Sequence, residues 1–161
     1  FLFYNNNKLV YIENDIYKTR FLVQNNKDKH KSSKILSEVT KNLYILRNYL
    51  VDNINKFEEY KKYIILLKNG FNNNRTTIHE GLLDSILTSY SINKGEELIF
   101  CLKSKKTNKY HKMNLLMYVA IHELGHLATV EIGHTNKFWK NIVWNYPVKL
   151  EYKDFTGKSN D

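Results

Sequence analysis

An α+β fold in a single domain is predicted by three features of the 161-residue sequence. Leu36, Val39, Leu43, Leu46, Leu50 and Ile54 recur every three or four residues, the stripe of a long helix. Short runs of β-branched and aromatic residues lie on both sides of that helix, and two of them flank a glycine-containing turn. A second helical stretch, beginning near Leu115, carries two histidines four residues apart. With 42% hydrophobic residues, a chain of this length can bury roughly 70% of its unfolded surface without cross-links. The one cysteine, Cys101, excludes an internal disulfide framework and any zinc site built on several thiolates.

Leu9 to Val23 reads as one or two strands, with Asn5-Asn6-Asn7 before it as a turn. The long helix starts near Ser33, where Ser32 or Ser33 can accept from an unpaired backbone N–H. Phe57 to Lys68 continues as a second helix that Gly70 stops. Residues 1–30 are thus strands and loops, and 31–87 a helical scaffold. Residues 88–102 form a hairpin, with Ser89–Ile92 and Glu97–Leu102 around Asn93-Lys94-Gly95-Glu96. Its second strand is a candidate edge for pairing with an extended peptide. Lys103 to Lys112 reads as a solvated basic loop, and Cys101 as an inert buried thiol. Residues 113–147 supply two more helices. Asn114 caps the first, Gly133 breaks the chain, and Pro147 ends the second, which carries Phe138, Trp139, Ile142, Val143 and Tyr146.

The charge balance is 25 Lys+Arg against 16 Asp+Glu, a net +9. Such an excess attracts nucleic acid, anionic membranes or acidic proteins. The abundance of lysine and asparagine beside only three arginines also matches the codon usage of an AT-rich genome. No segment approaches the roughly 18 apolar residues of a membrane span. The apolar start Phe1-Leu2-Phe3-Tyr4, without a methionine, reads as the stub of a removed signal, anchor or preceding region. The single cysteine is compatible with a reducing compartment.

His122-Glu123-Leu124-Gly125-His126 matches the H-E-x-x-H pattern, which independent-site counting gives roughly one chance in 75 of arising by accident. Residues four apart on a helix share a face about 5–6 Å apart, so both imidazoles can reach one zinc ion. Glu123 points elsewhere on the turn and can take a proton from the attacking water. A catalytic zinc uses three protein ligands and keeps one position open. His134, after the reversal that Gly133 permits, is the preferred third ligand, and Glu131 the competing one.

The same residues resemble the zinc-site segment of the WLM and SprT-like metallopeptidases. Those families join H-E-L-x-H to a later G-H-x-x-x-F-[WY] stretch, which stands here as Gly133-His134 to Phe138-Trp139. Thr88 to Glu96 and Cys101-Leu102-Lys103 resemble the corresponding stretches of WLM-like peptidases of large DNA viruses. The similarity covers about Thr88 to Asp154. The interval from His126 to His134 is eight residues, against six in the cellular pattern, and lacks its proline. The resemblance implies a zincin-like fold, with the sheet and its hairpin packed on the long helix and the zinc helix. It also implies His122, His126 and His134 as zinc ligands, Glu123 as catalytic base, and a protein or peptide substrate. Cellular members digest proteins crosslinked to DNA. Two alternatives stand beside the peptidase: a virion or structural protein that keeps the fold without the activity, and a basic nucleic-acid-binding module with a structural zinc. The compartment would be the host cytoplasm, the nucleus or the virion.

Overall fold

The helical stripe forms the centre of the core. In the computed structural model Leu36, Val39, Leu43, Leu46 and Leu50 are each at most 2% exposed. The structure describes residues 8–14, 19–82, 89–92 and 96–128, with the backbone alone at 90 and 91. In chain order these form β1 (Leu9–Glu13), β2 (Arg20–Gln24), α1 (Lys29–Asp52), α2 (Lys61–Gly70), β3 (Thr77–Glu80), β4 (Ser89–Ile92), β5 (Glu97–Phe100) and α3 (Met113–Leu127). Two short 3-10 turns join α1 to α2. The described residues are therefore α+β, with three α-helices and two small sheets.

α1 begins four residues before the expected Ser33. Its N-cap is Asp28, whose side chain makes no capping bond. Ser32 and Ser33 are buried within the helix and bond to distant groups, Tyr110 Oη at 2.6 Å and the Ile12 carbonyl at 3.2 Å. The two hydroxyls thus tie α1 to other elements instead of capping it. α2 ends at Gly70, and Phe71 turns into the core beneath α1. Phe71 is fully buried and stacks on Tyr44 at 4.4 Å between centroids. Arg47 of α1 donates to the Phe71 and Lys68 carbonyls at 2.6 and 2.9 Å, satisfying acceptors that the end of α2 leaves open.

The sheets differ from the expected arrangement. Thr77–Glu80, within the stretch read as helical scaffold, is a strand, and it pairs in parallel with β5. β4 pairs antiparallel with β5 on the other side, from Ser89↔Phe100 to Ile92↔Glu97. The order β3-β5-β4 puts β5 in the centre, so the ladder ends at β3 and β4, and Glu97–Leu102 is not an edge. Central placement explains why Leu98, Ile99 and Phe100 are all buried without alternation.

β1 and β2 form a separate antiparallel ribbon, Leu9↔Gln24 to Glu13↔Arg20. The Asn25 N–H bonds the Lys8 carbonyl, which sets the phase of the ladder. By alternation, the N–H groups of Leu22 and Gln24 face away from β1. Side chains of β3 take them: His79 Nδ1 accepts from Leu22 at 3.3 Å and Glu80 Oε1 from Gln24 at 2.8 Å. Gln24 Nε2 returns a bond to the Gly81 carbonyl at 2.8 Å. The two sheets are therefore joined by side chains standing in for a backbone ladder.

The two acceptors respond oppositely to pH. Burial lowers the His79 pKa from 6.5 to about 4, so acidification between those values favours the unfolded chain, which takes up the proton. Burial raises the Glu80 pKa above its ordinary 4.5, against the Gln24 bond and the Lys103 charge. The unfolded chain then releases a proton that the folded one retains, so this stabilisation is complete below 4.5 and lost as pH rises. Glu80 Oε2 also has no hydrogen-bond partner among the described residues. Glu80→Gln keeps the acceptor for Gln24 and removes the ionisation. Its expected effect is a gain of about 1 kcal/mol at pH 7 that shrinks towards zero below pH 4.5. Thermal melts of both proteins across that range check it; a pH-independent difference would show that ionisation of Glu80 is not the cause.

The basic segment after β5 is an ordered hairpin whose turn, residues 105–109, is exposed as expected, while Lys103 at its base is buried. Lys103 and Tyr110 form an antiparallel bridge, and between them Ser104 and Thr107 hydroxyls accept backbone N–H groups. Asn108 closes the turn at φ 57°, a left-handed conformation that asparagine tolerates. Lys103 is only 4% exposed, and its ammonium bonds Asp28 at 2.8 Å. That bond holds the Asp28 pKa below its ordinary value. Burial works against the Lys103 charge, but Asp28, Tyr110 and Glu80 together raise its pKa. Tyr110 Oη meets Ser32 at 2.6 Å and donates to the Asp28 carbonyl at 3.2 Å. Cys101 is buried as expected, its thiol on the Lys103 carbonyl at 3.1 Å.

Candidate metal centre

α3 places the H-E-x-x-H pentad. Leu116, Met117, Ala120, Ile121, Leu124 and Leu127 make its buried stripe and belong to the core cluster shared with α1 and α2. The helix starts after Lys112, two residues earlier than an Asn114 cap requires. The Asn114 side-chain oxygen still accepts the Leu115 N–H at 2.8 Å. At 3.6 residues per turn, His122 and His126 fall roughly opposite the buried stripe. The core thus fixes the helix while its outer face presents the imidazoles.

His122 is exposed and His126 half-buried. Their rings meet edge to face with centroids 4.6 Å apart, and the two Nε2 atoms lie 3.0 Å from one another. Two nitrogens bound to one tetrahedral zinc at 2.0–2.1 Å would be about 3.3 Å apart. The pair therefore fits two corners of such a site with a shift of a few tenths of an ångström. Glu123, next to His122, is half-buried, and burial raises its carboxyl pKa.

Among the described residues no group of three His, Cys, Asp or Glu side chains converges on one point. His134, the expected third ligand, and Glu131, its competitor, lie outside the described residues, as do Phe138, Trp139 and Tyr146. Of the other described histidines, His79 is committed to the sheet joint, His30 is exposed beside the start of α1, and His111 lies at the end of the basic segment. Tyr110 is engaged with Ser32 and Asp28, whereas Tyr118 is exposed one helical turn before His122. No helix of the described residues is long and apolar enough to cross a membrane.

Sequence reading missed the His79–Glu80 joint and the Lys103–Asp28 clamp. Their partners lie more than fifty residues away, and the only local signal is a titratable pair in a four-residue strand.

Three viral proteins are similar to this chain. Uncharacterized protein R325 of Acanthamoeba polyphaga mimivirus is 40% identical over 141 residues, which covers 88% of this chain and 71% of the relative. Uncharacterized protein 136R of Invertebrate iridescent virus 6 is 38% identical over 68 residues, 41% of this chain and 38% of the relative. Uncharacterized protein 042R of Invertebrate iridescent virus 3 is 38% identical over 50 residues, 31% of each. The chain thus spans under two fifths of the length of either iridescent-virus protein. No protein-family model and no solved structure matches the chain.

Proposed function

This chain belongs to one family with the mimivirus protein, and we propose that it is a zinc-dependent metallopeptidase that hydrolyses peptide bonds. The observation that carries the reading is the convergence of the His122 and His126 Nε2 atoms to 3.0 Å on the outer face of α3, with Glu123 beside them. His134 completes the ligand set in this reading. A zinc ion held there supplies Lewis acidity towards a carbonyl and towards water. Glu123 accepts the proton of the attacking water and hands it to the leaving amine, so one carboxylate serves as base and then as acid. The packed side of α3 keeps the two imidazoles in register, because a helix anchored by seven buried residues cannot rotate without exposing them.

The reading is tested on the metal and the reaction together. The purified chain should carry about one zinc, and His126→Ala and His134→Ala should each lower that content severalfold. Chelation should stop cleavage of an unfolded protein substrate, and added zinc should restore it. Zinc retained without any cleavage would favour a structural protein that keeps the site. A metal-free chain that cleaves at full rate would end the proposal.

A further inference from the structure

We infer that the N-terminal end of α1 and the hairpin of residues 103–112 form one interface for the phosphate backbone of a double-stranded nucleic acid. The two segments are 75 residues apart in sequence and are clamped together by Lys103 on Asp28 and by Tyr110 on Ser32. Residues 27–34 and 103–112 hold nine of the 22 lysines and a single acid, Asp28. An even spread over the chain would put about 2.5 lysines in those 18 residues. Codon usage raises lysine everywhere, so it does not explain this concentration in space. Asp28 is already paired with Lys103, which leaves a net charge of +8 on the segments against +9 for the whole chain.

Presentation is fixed on both sides. Lys27, Lys31 and Lys34 are exposed at the start of α1, and Lys105, Lys106 and Lys109 on the hairpin, whose turn is held by Ser104 and Thr107 hydroxyls. The first turn of α1 carries no acidic residue, so lysines crowd the positive end of a 24-residue helix. Repulsion of that kind is relieved by an anion that spans both segments.

The chemistry favours a duplex over other polyanions. Among the described residues the large exposed hydrophobics are Tyr11, Ile65, Leu115 and Tyr118, and none lies in either segment, so the two segments themselves offer no apolar wedge to a lipid surface. Single strands are held by bases stacked on open aromatic rings. Tyr110, the largest ring of the interface, has Lys31 and Lys103 over it at 4.8 and 4.9 Å, and beside it the two segments hold only the smaller imidazoles of His30 and His111. What remains is ammonium, hydroxyl and amide donors, which contact phosphate and sugar without reading bases.

Fluorescence anisotropy on the full chain tests this with labelled duplex DNA, duplex RNA, single-stranded DNA and phosphatidylserine vesicles. Binding to one or both duplexes is expected, and their ratio identifies the source of the phosphate backbone. The affinity should fall steeply with salt. The triple variant K105E/K106E/K109E should weaken duplex binding more than about tenfold and reduce the log–log salt slope by roughly 2–3. K56E/K61E/K62E makes the same change in net charge away from the interface and should stay within about threefold of the parent. Equal losses in both triples, or single strands or vesicles bound at least as tightly as the duplexes, would overturn the inference, as would no duplex binding at low salt. Circular dichroism confirms that both variants fold. His126→Ala should bind duplex like the parent, so the outcome is independent of the peptidase reading.

Discussion

Glu123→Gln should abolish peptide hydrolysis, by roughly a thousandfold in kcat/KM, and leave zinc content unchanged. The substitution keeps the size and the helical position of the side chain and removes only its ability to take a proton. His122 and His126 meet through their own Nε2 atoms, so their geometry does not depend on the carboxylate. The result separates Glu123 from its neighbours, because His126→Ala should lose metal and activity together. Single-turnover cleavage by both variants, paired with metal analysis, is the measurement. Parent-like cleavage by Glu123→Gln would remove the general base from this position.

Phe71→Ala should cost about 4 kcal/mol and lower Tm by roughly 10 °C. Phe71 is among the largest fully buried side chains, and its ring is stacked on Tyr44 of α1 at an interplanar angle of 21°. Its carbonyl accepts Arg47 Nε, so side chain and backbone together fix the end of α2 on α1. Truncation leaves a cavity that two helices joined by such bonds cannot collapse to fill. α3 packs against both helices, so activity should fall with stability near the new Tm but not well below it. A Tm within about 3 °C of the parent would show that the site closes up easily.

The helical periods were legible because they are local. The stripe of Leu36 to Leu50 and the placement of His122 and His126 on one helix face follow from 3.6 residues per turn. The β4–β5 pairing was likewise announced by two β-prone runs on either side of a short turn. Ser32 and Ser33 misled the reading of the helix start, since a serine that caps and one that bonds across the core look alike in sequence. β3 escaped notice because four residues of mixed polarity, Thr77-Ile78-His79-Glu80, show neither alternation nor an apolar run.

By itself the sequence determined the long core helix, the hairpin and the histidine pair, each dictated by neighbours within a few residues. Only the tertiary structure decided that β5 is central, that β2 and β3 are joined through His79 and Glu80, and that Lys103 pins the basic hairpin to α1. β5 meets β3 across twenty residues and the other two choices join groups over fifty apart. Distances of that size leave no local signal, and the last two are settled by the cost of burying a backbone donor or a charge without a partner.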